Sequence, residues 1–464
     1  MKKILAMLVI LCTLISLTSC ELISNIFVKK VPFYINGVEI FEYNIVYDED
    51  GLDYNKRAAE YVQGKIAECT NVTLPIVDDS TEAKAHEIVI GETSRDISKE
   101  LNEATEGFEF AMLAKNGSVA LEADYFVIAA AAYYFADSFV KKGEEVSIPD
   151  GVTVREPVTK EAKNLIMLIG DGMGLYQTKL FDYLNDPTDY SDGENLFYGY
   201  MFPYHGFTRT SSYSGITDSA AGGTALSTGY KTVNSHIGLD RDGNSIKSLT
   251  ELAAELGKST AVLSTDKNTG ATPATFSAHA PDRDDSLVIL ESQVALTKSI
   301  GTIVECGFDY YTAKMMPTIE GYATNTLNTL SEDEDGFFLM YEEGHIDKKS
   351  HNNDMEYTFK ALIRFNQVIA RFMEYAFYNP DTFVLITADH ETGGLLPTDD
   401  GKLAYNTEEH TAADVPVFAW GHGAEFFDGK TVENVEIAHY FASLMGVDDF
   451  GDQTRGWYDE IYGE

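Results

Sequence analysis

Asn164-Leu165-Ile166-Met167-Leu168-Ile169-Gly170-Asp171-Gly172-Met173-Gly174 is an unbroken apolar run that ends on Gly-Asp-Gly. A run of this kind reads as a strand buried on both faces of a parallel sheet. It delivers an aspartate to the carboxyl edge, where open α/β sheets bind their ligands. Thr382-Phe383-Val384-Leu385-Ile386-Thr387-Ala388-Asp389-His390 repeats the device with a carboxylate beside an imidazole, and Gly336-Phe337-Phe338-Leu339-Met340-Tyr341-Glu342 repeats it again. A Gly-Asp-Gly turn alone is common. Three apolar strands that each end in a metal-ligand residue are not. The expected fold is therefore α/β, a central, largely parallel sheet flanked by helices.

The second informative stretch runs from Ile216 to Thr232, with Asp218-Ser219-Ala220-Ala221-Gly222-Gly223 at its heart. The order places Ser219 at the mouth of a helix, where backbone N–H groups lack partners and an anion or a developing alkoxide is favoured. The small residues should let an anion approach the backbone closely, and Thr228-Gly229 supplies the stop. An arbitrary serine before a helix is usually a plain N-cap. Here the rest of the chain supplies matching ligands. Asp347 and His351 are four apart, so one helical face can present both. Glu342 precedes them and His410 follows in Glu409-His410-Thr411. Imidazoles mixed with carboxylates suit zinc, with hard oxygen ligands left for magnesium. His86, His205, His236 and His439 have no partners at ligand spacing and read as ordinary histidines.

From Asn164 to the C-terminus these motifs resemble the alkaline phosphatase family. The match comprises the Asp-Ser-Ala stretch, the Gly-Asp-Gly turn, Ala271-Thr272-Pro273-Ala274, the Glu342/Asp347/His351 cluster, Ala388-Asp389-His390 and His410. Position by position, the resemblance implies two Zn²⁺ and one Mg²⁺ per chain. Asp347, His351 and His410 would hold one zinc, and Asp389, His390 and Asp171 the other. Asp171, Thr272 and Glu342 would hold the magnesium. Ser219 would be the nucleophile and Arg283, at the family's distance from Thr272, the phosphate clamp. The implied reaction is hydrolysis of phosphate monoesters through a phosphoserine. Physical chemistry agrees: a serine hydroxyl needs activation, two metals roughly 4 Å apart stabilise both oxygens of an in-line displacement, and arginine offers phosphate two parallel donors.

The chain departs from the family in three places. Gly270 stands two residues before Thr272, where bacterial members often carry an Asp near the magnesium waters. Lys348 would lack that Asp as a partner. Magnesium is therefore expected to bind weakly, and Gly270→Asp to reduce the need for added magnesium. The stretch between His390 and His410 is also short where relatives carry an insertion that contributes to their dimer, which leaves a homodimer open.

Residues 1–20 read as an export signal, with Lys2-Lys3, an apolar core from Ile4 to Leu17 too short to span a bilayer, and a closing Leu17-Thr18-Ser19-Cys20. That closing tetrad resembles a bacterial lipobox, in which Cys20 is lipidated, so the protein is expected to be exported and lipid-anchored to the cell envelope, on the outer face of a bacterial membrane. Of the four cysteines only Cys69 and Cys306 then remain, too few for a disulfide framework; they read as buried thiols, with a single bridge left open. The net charge of −40, from 74 acidic against 34 basic residues, argues against nucleic acid and against adsorption to anionic lipid.

The segment 31–157 reads as a small α/β accessory domain ahead of a catalytic domain at 160–464. Val38–Phe41, Asn44–Tyr47, Leu74–Val77 and Glu87–Ile90 are predicted strands, and Ala58, Ala59, Val62, Ile66 and Cys69 fall at helical spacing. A hairpin is predicted around Asn116-Gly117 and a core helix over Tyr125–Val140. In strand–helix order and at Glu87–Arg95 the segment resembles the small domain preceding the catalytic barrel of some bacterial glycosidases. No catalytic residue transfers from it, and a spacer or docking role is expected.

Within the superfamily, the rival readings are a phosphodiesterase, which often uses a threonine nucleophile, and a sulfatase, whose Cys/Ser-x-Pro-x-Arg pattern Ser219-Ala220-Ala221-Gly222 fails. A cofactor-independent phosphoglycerate mutase would be cytosolic. A non-catalytic surface lipoprotein that binds phosphate or a partner is opposed by the complete ligand set.

Overall fold

Strands that share one direction need helical crossovers, and the chain supplies them in alternation. The computed structural model describes residues 30–48, 53–102, 104–143, 145–183, 196–306 and 319–463. Cys20 and the expected export signal lie outside the described residues. The chain forms two compact units, Met1–Arg155 and Glu156–Glu464.

The second unit is built on an eight-stranded sheet: β1 (Asn164–Gly170), β2 (Tyr204–Arg209), β3 (Ser259–Ser264), β4 (Ile303–Cys306), β5 (Phe337–Glu343), β6 (Thr382–Thr387), β7 (Val415–Trp420) and β8 (Thr431–Glu433). Their order is β4-β3-β5-β1-β6-β7-β2-β8, and only β7 runs against the others. The three strands singled out in the sequence, β5, β1 and β6, are neighbours at the centre. Every residue of β1, β5 and β6 is buried, as strands covered on both faces must be. Ile169 pairs with Glu342 on one side and with Thr387 on the other. That register sets Asp171 and Asp389, each two residues further on, at the same height above one carboxyl edge.

Met167, Ile169, Val262, Phe338, Met340, Phe383 and Leu385 from the strands pack with Phe276, Ile437 and Phe441 in one cluster. Each such side chain contributes roughly 1.5–3 kcal/mol on burial, so the edge carrying the carboxylates rests on a stiff base. The longest helix among the described residues, Met355–Tyr378, is capped by Asp354, whose carboxylate accepts from Tyr357 N. It buries Phe359, Leu362, Phe365, Ile369, Met373 and Ala376, the three-and-four spacing of an amphipathic face. The helix Ser219–Thr228 is different: all ten of its residues are buried.

The first unit carries its own six-stranded sheet, in the order Ile76–Asp78, Asn44–Tyr47, Glu87–Ile90, Ser118–Ala123, Phe110–Lys115, Gly151–Arg155. The hairpin forms where Asn116-Gly117 predicts it, with both residues at positive φ (53° and 78°), the conformation a two-residue turn requires. The helix Asp53–Thr70 buries Ala58, Ala59, Val62 and Ile66. Three expectations need correction. The strand expected over Val38–Phe41 stops at Glu39, and Ile40–Glu42 turn as a 3-10 helix. The strand expected from Leu74 begins at Ile76, since Pro75 has no N–H to give a ladder. Cys69 is a free, half-buried thiol rather than a buried one, its Sγ 3.6 Å from Val140 O. The apolar stretch after Asp124 forms a 3-10 turn at Tyr125–Val127 and a helix at Ile128–Phe139. No helix among the described residues is long and apolar enough to cross a membrane.

Candidate active site

The site gathers at the carboxyl edge of β5, β1 and β6. Ser219 is 3% exposed and opens its helix, but the cap is Asp218, whose Oδ1 accepts from Ala221 N at 2.9 Å. The other oxygen of Asp218 accepts from Ser235 N at 3.0 Å and from Arg283 Nη1 at 3.2 Å. One carboxylate therefore caps the helix that presents Ser219 and fixes the arginine. The sequence signal for this role of Asp218 is its place directly before a helix. The glycines that follow were expected to admit an anion. Instead a Cβ on Gly222 would meet Asp389 O at 2.7 Å, and one on Gly223 would meet Thr275 Oγ1 at 2.7 Å. They let the helix press against the loop that carries Asp389 and against Ala271–Thr275.

Ser219 Oγ lies 3.1 Å from His390 Nε2. The same nitrogen is 3.2 Å from Asp389 Oδ2 and 3.6 Å from Asp171 Oδ1. A second set stands beside it: His351 Nε2 is 3.1 Å from His410 Nε2 and 3.3 Å from Asp347 Oδ1, with His410 Nε2 3.5 Å from the same oxygen. Ligand atoms of Asp171, Asp389 and His390 lie within 4.8 Å of one another, as do those of Asp347, His390 and His410, so His390 sits between the two groups. Thr272 Oγ1 reaches Asp389 Oδ2 at 3.4 Å. Glu342 is buried and accepts from Ser264. The structure thus sets Asp171, Asp347, His351, Asp389, His390 and His410 side by side, with Thr272 against Asp389 and Glu342 near both of these. The four histidines set aside as ordinary, His86, His205, His236 and His439, each face a backbone carbonyl.

The imidazoles are oriented by their outer nitrogens. His410 Nδ1 faces Thr217 O at 2.9 Å, and His351 Nδ1 faces Glu408 O. A donor held by a carbonyl on Nδ1 leaves the Nε2 lone pair pointing inward, the arrangement a metal ligand needs.

Electrostatics test whether a cation fits. Burial, then the Asp389, Asp347 and Glu342 carboxylates, push Asp171 well above the usual carboxylate range. Burial and then Asp347 push Asp389 up to about 6, and burial with Asp266 pushes Glu342 up to about 7. Asp347 is held low against the effect of burial by His410, His390 and His351. Burial drives His390 well below its ordinary value. Asp171 Oδ1 is buried with no hydrogen-bond partner. Buried carboxylates that repel one another, an orphaned acceptor and inward imidazole lone pairs are the donor set of divalent cations.

The expectation that Lys348 lacks a carboxylate partner is not met. Lys348 does have a carboxylate partner, forming an ion pair with Asp266. Asp266 follows β3, donates its backbone N–H to Ser264 Oγ at 2.8 Å, and is the foremost carboxylate acting on Glu342. A Cβ on Gly270 would stand 3.0 Å from Asp266 Oδ2 and 2.9 Å from Lys267 O. Asp266, four residues earlier, fills the space beside Gly270, and an aspartate at 270 would crowd it.

A family profile described as alkaline phosphatase matches residues 162–306 and 305–402. The chain belongs to the alkaline phosphatase family. The match lies within the second unit and ends before His410, whose place in the site therefore rests on geometry. Alkaline phosphatase 3 of Bacillus subtilis is 29% identical over 305 residues, covering 54% of this chain and 66% of the relative, just under two thirds of its length. Alkaline phosphatase 4 of the same organism is 28% identical, covering 64% and 76%. The solved alkaline phosphatase of the Antarctic bacterium TAB5 superposes with a TM-score of 0.55 at 27% identity, over 63% of this chain and all of that one. As the superposition on the TAB5 structure shows, the second unit of this alkaline phosphatase family member has that family's α/β fold.

Proposed function

We propose that the protein hydrolyses phosphate monoesters to an alcohol and inorganic phosphate through a phosphoserine at Ser219. The observation that carries this reading is Ser219 Oγ, 3.1 Å from His390 Nε2, inside a buried set of carboxylates and imidazoles and beside an arginine fixed by its own aspartate. Family membership supports it. In this reading Asp347, His351 and His410 hold one Zn²⁺, Asp389, His390 and Asp171 a second, and Asp171, Thr272 and Glu342 a Mg²⁺. A TAB5 variant solved with Mg bound in its M3 site supports magnesium as a family ligand. When bound, such cations lower the pKa of the serine hydroxyl and take up charge on the phosphate oxygens.

The chain's own residues do the rest. Arg283 is raised above its usual value, since the Asp218, Asp171 and Asp389 carboxylates outweigh the opposing effect of burial, so it stays cationic at alkaline pH and binds two phosphate oxygens. Asp218 keeps the guanidinium in that orientation. Ser219 Oγ, giving up its proton to water, attacks phosphorus as the bond to the leaving oxygen breaks on the opposite side and the alkoxide takes a proton from water to depart as the alcohol. A second water then breaks the Ser219 O–P bond, releasing inorganic phosphate and restoring the hydroxyl.

The test compares p-nitrophenyl phosphate with its bis-ester, before and after chelation. The monoester should be the better substrate, chelator should abolish turnover and zinc restore it; preference for the diester would replace this reading with a phosphodiesterase. Arg283→Lys keeps the charge but loses the paired donors. It should cost about 10–100-fold in kcat/KM, the equivalent of roughly 1.5–3 kcal/mol for a charged hydrogen bond. A wild-type value would remove Arg283 from the phosphate site. Asp266→Asn should raise the magnesium needed for half-maximal rate by about 10–100-fold, measured by titrating dialysed enzyme; an unchanged requirement would dissociate Asp266 from the third cation.

The envelope location belongs to the same reading and rests on Leu17-Thr18-Ser19-Cys20. Acylated protein should partition with membranes into detergent, and Cys20→Ser should release or misprocess it. A mature terminus other than a modified Cys20, found by mass spectrometry, would refute the anchor. Sedimentation of the detergent-solubilised protein decides the homodimer.

A further inference from the structure

The two ligand groups are joined by a residue that belongs to neither. Thr392 is fully buried, and its hydroxyl has two partners, Asp347 Oδ1 at 2.5 Å and His390 Nδ1 at 3.2 Å. A carboxylate only accepts, so the single hydroxyl proton goes to Asp347. The lone pair of Oγ1 must then accept from His390, which places the imidazole proton on Nδ1 and leaves Nε2 as the free lone pair. That is the nitrogen 3.1 Å from Ser219 Oγ.

The backbone of Thr392 is tied in just as closely. Its N–H donates to Gly172 O at 3.1 Å, one residue after Asp171. On the short ladder Glu391–Thr392 with His410–Thr411, Thr392 is the register partner of His410. Gly172, at φ +71°, leaves room for this: a Cβ there would meet Thr392 Oγ1 at 2.7 Å and Asp347 Cα at 2.8 Å. One threonine thus touches, through side chain or backbone, the segments that carry Asp171, Asp347, His390 and His410.

We infer that Thr392 is the positioning residue that couples the two candidate metal groups, fixing the His390 tautomer for one while orienting the Asp347 carboxylate for the other. The inference rests on the two-cation reading above for its metal arm only. A cation held by Asp347 would fix the carboxylate that accepts from Thr392, and with it the hydroxyl that accepts from His390. Loading of one group therefore favours loading of the other. The methyl of threonine fills buried space, so valine separates the hydroxyl from the packing.

The experiment uses the full chain, stripped by chelator. Two-bond ¹H–¹⁵N spectra of histidine-labelled, metal-free protein report tautomers, with His390 assigned by its loss in His390→Gln. Wild type and Thr392→Ser should show His390 protonated at Nδ1, and Thr392→Val a mixture. Calorimetric titration with zinc alone should show two coupled sites in wild type and in Thr392→Ser. In Thr392→Val both affinities should fall by about 10–100-fold, the usual loss for an outer partner of a ligand, and the coupling should vanish. An unchanged tautomer together with unchanged affinities in Thr392→Val overturns the inference. So does a fall at one site only, which would make Thr392 a local partner. Should Thr392→Val lack the wild-type circular dichroism spectrum, Thr392→Ala is read in its place. A wild-type chain that binds no zinc would overturn the two-cation reading instead, and the tautomer arm, which needs no metal, would still decide the role of the hydroxyl.

Discussion

Ser219→Ala should lower kcat for a phosphate monoester by at least about a thousandfold, with zinc content and melting temperature unchanged. The side chain is buried at the first turn of a helix whose cap is Asp218, so alanine removes one oxygen and disturbs neither the cap nor the packing. Arg283 keeps its bond to Asp218, and the ligands keep theirs, so the variant should still bind phosphate. What it loses is the atom that forms the covalent bond. A small residual rate is compatible with direct attack by water. Undiminished turnover would exclude the covalent route.

The second large effect is on stability, and its direction follows from the carboxylates. In the metal-free protein Asp389 and Glu342 are raised to about 6 and about 7, and Asp171 is raised as well, by burial first and then by mutual repulsion. A carboxyl whose folded value lies above its unfolded value binds more protons in the folded state over the interval between them. Its favourable contribution is complete below about pH 4 and is lost as pH rises through about 6 to 7. Asp347, held low by imidazoles against the effect of burial, contributes in the opposite sense, below that window. Bound cations relieve the repulsion and favour the ionised forms. The melting temperature of chelator-stripped protein should therefore fall between about pH 4.5 and pH 7.5 relative to that of zinc-loaded protein. At free zinc a thousandfold above Kd, each site adds about 4 kcal/mol. Asp171→Asn should narrow the gap by stabilising the stripped form while abolishing activity. A gap that stays constant or shrinks with rising pH would contradict this electrostatic account.

What the sequence made legible was whatever depends on local pattern. The apolar runs before Asp171, Glu342 and Asp389 announced central parallel strands, and Asn116-Gly117 announced a turn that only positive φ can make. The ligand residues were legible because their types and spacings match a family motif. What stayed hidden depends on proximity across the chain. Asp266 and Lys348 are 82 positions apart, and nothing local pairs them. Asp218 could be read as a cap, but its hold on Arg283 needs the folded loop. Thr392 stood two residues after His390 in an unremarked Glu-Thr-Gly-Gly stretch; its role appears only when Asp347 and His410 arrive from other segments. The glycines at 222 and 223 suggest room for an anion, and folding uses them as room for Asp389 and Thr275. Small residues announce a close approach without saying what approaches.

In the proposed reaction the phosphoryl group passes through Ser219. The most direct measurement is acid quenching of enzyme during turnover of a monoester, followed by peptide mass spectrometry of the segment containing Ile216–Lys231. Phosphate is expected on Ser219, and should be absent when substrate is omitted or metal is removed. Turnover with no phosphorylated Ser219 at any quench time, or with the phosphate on another residue, would contradict it.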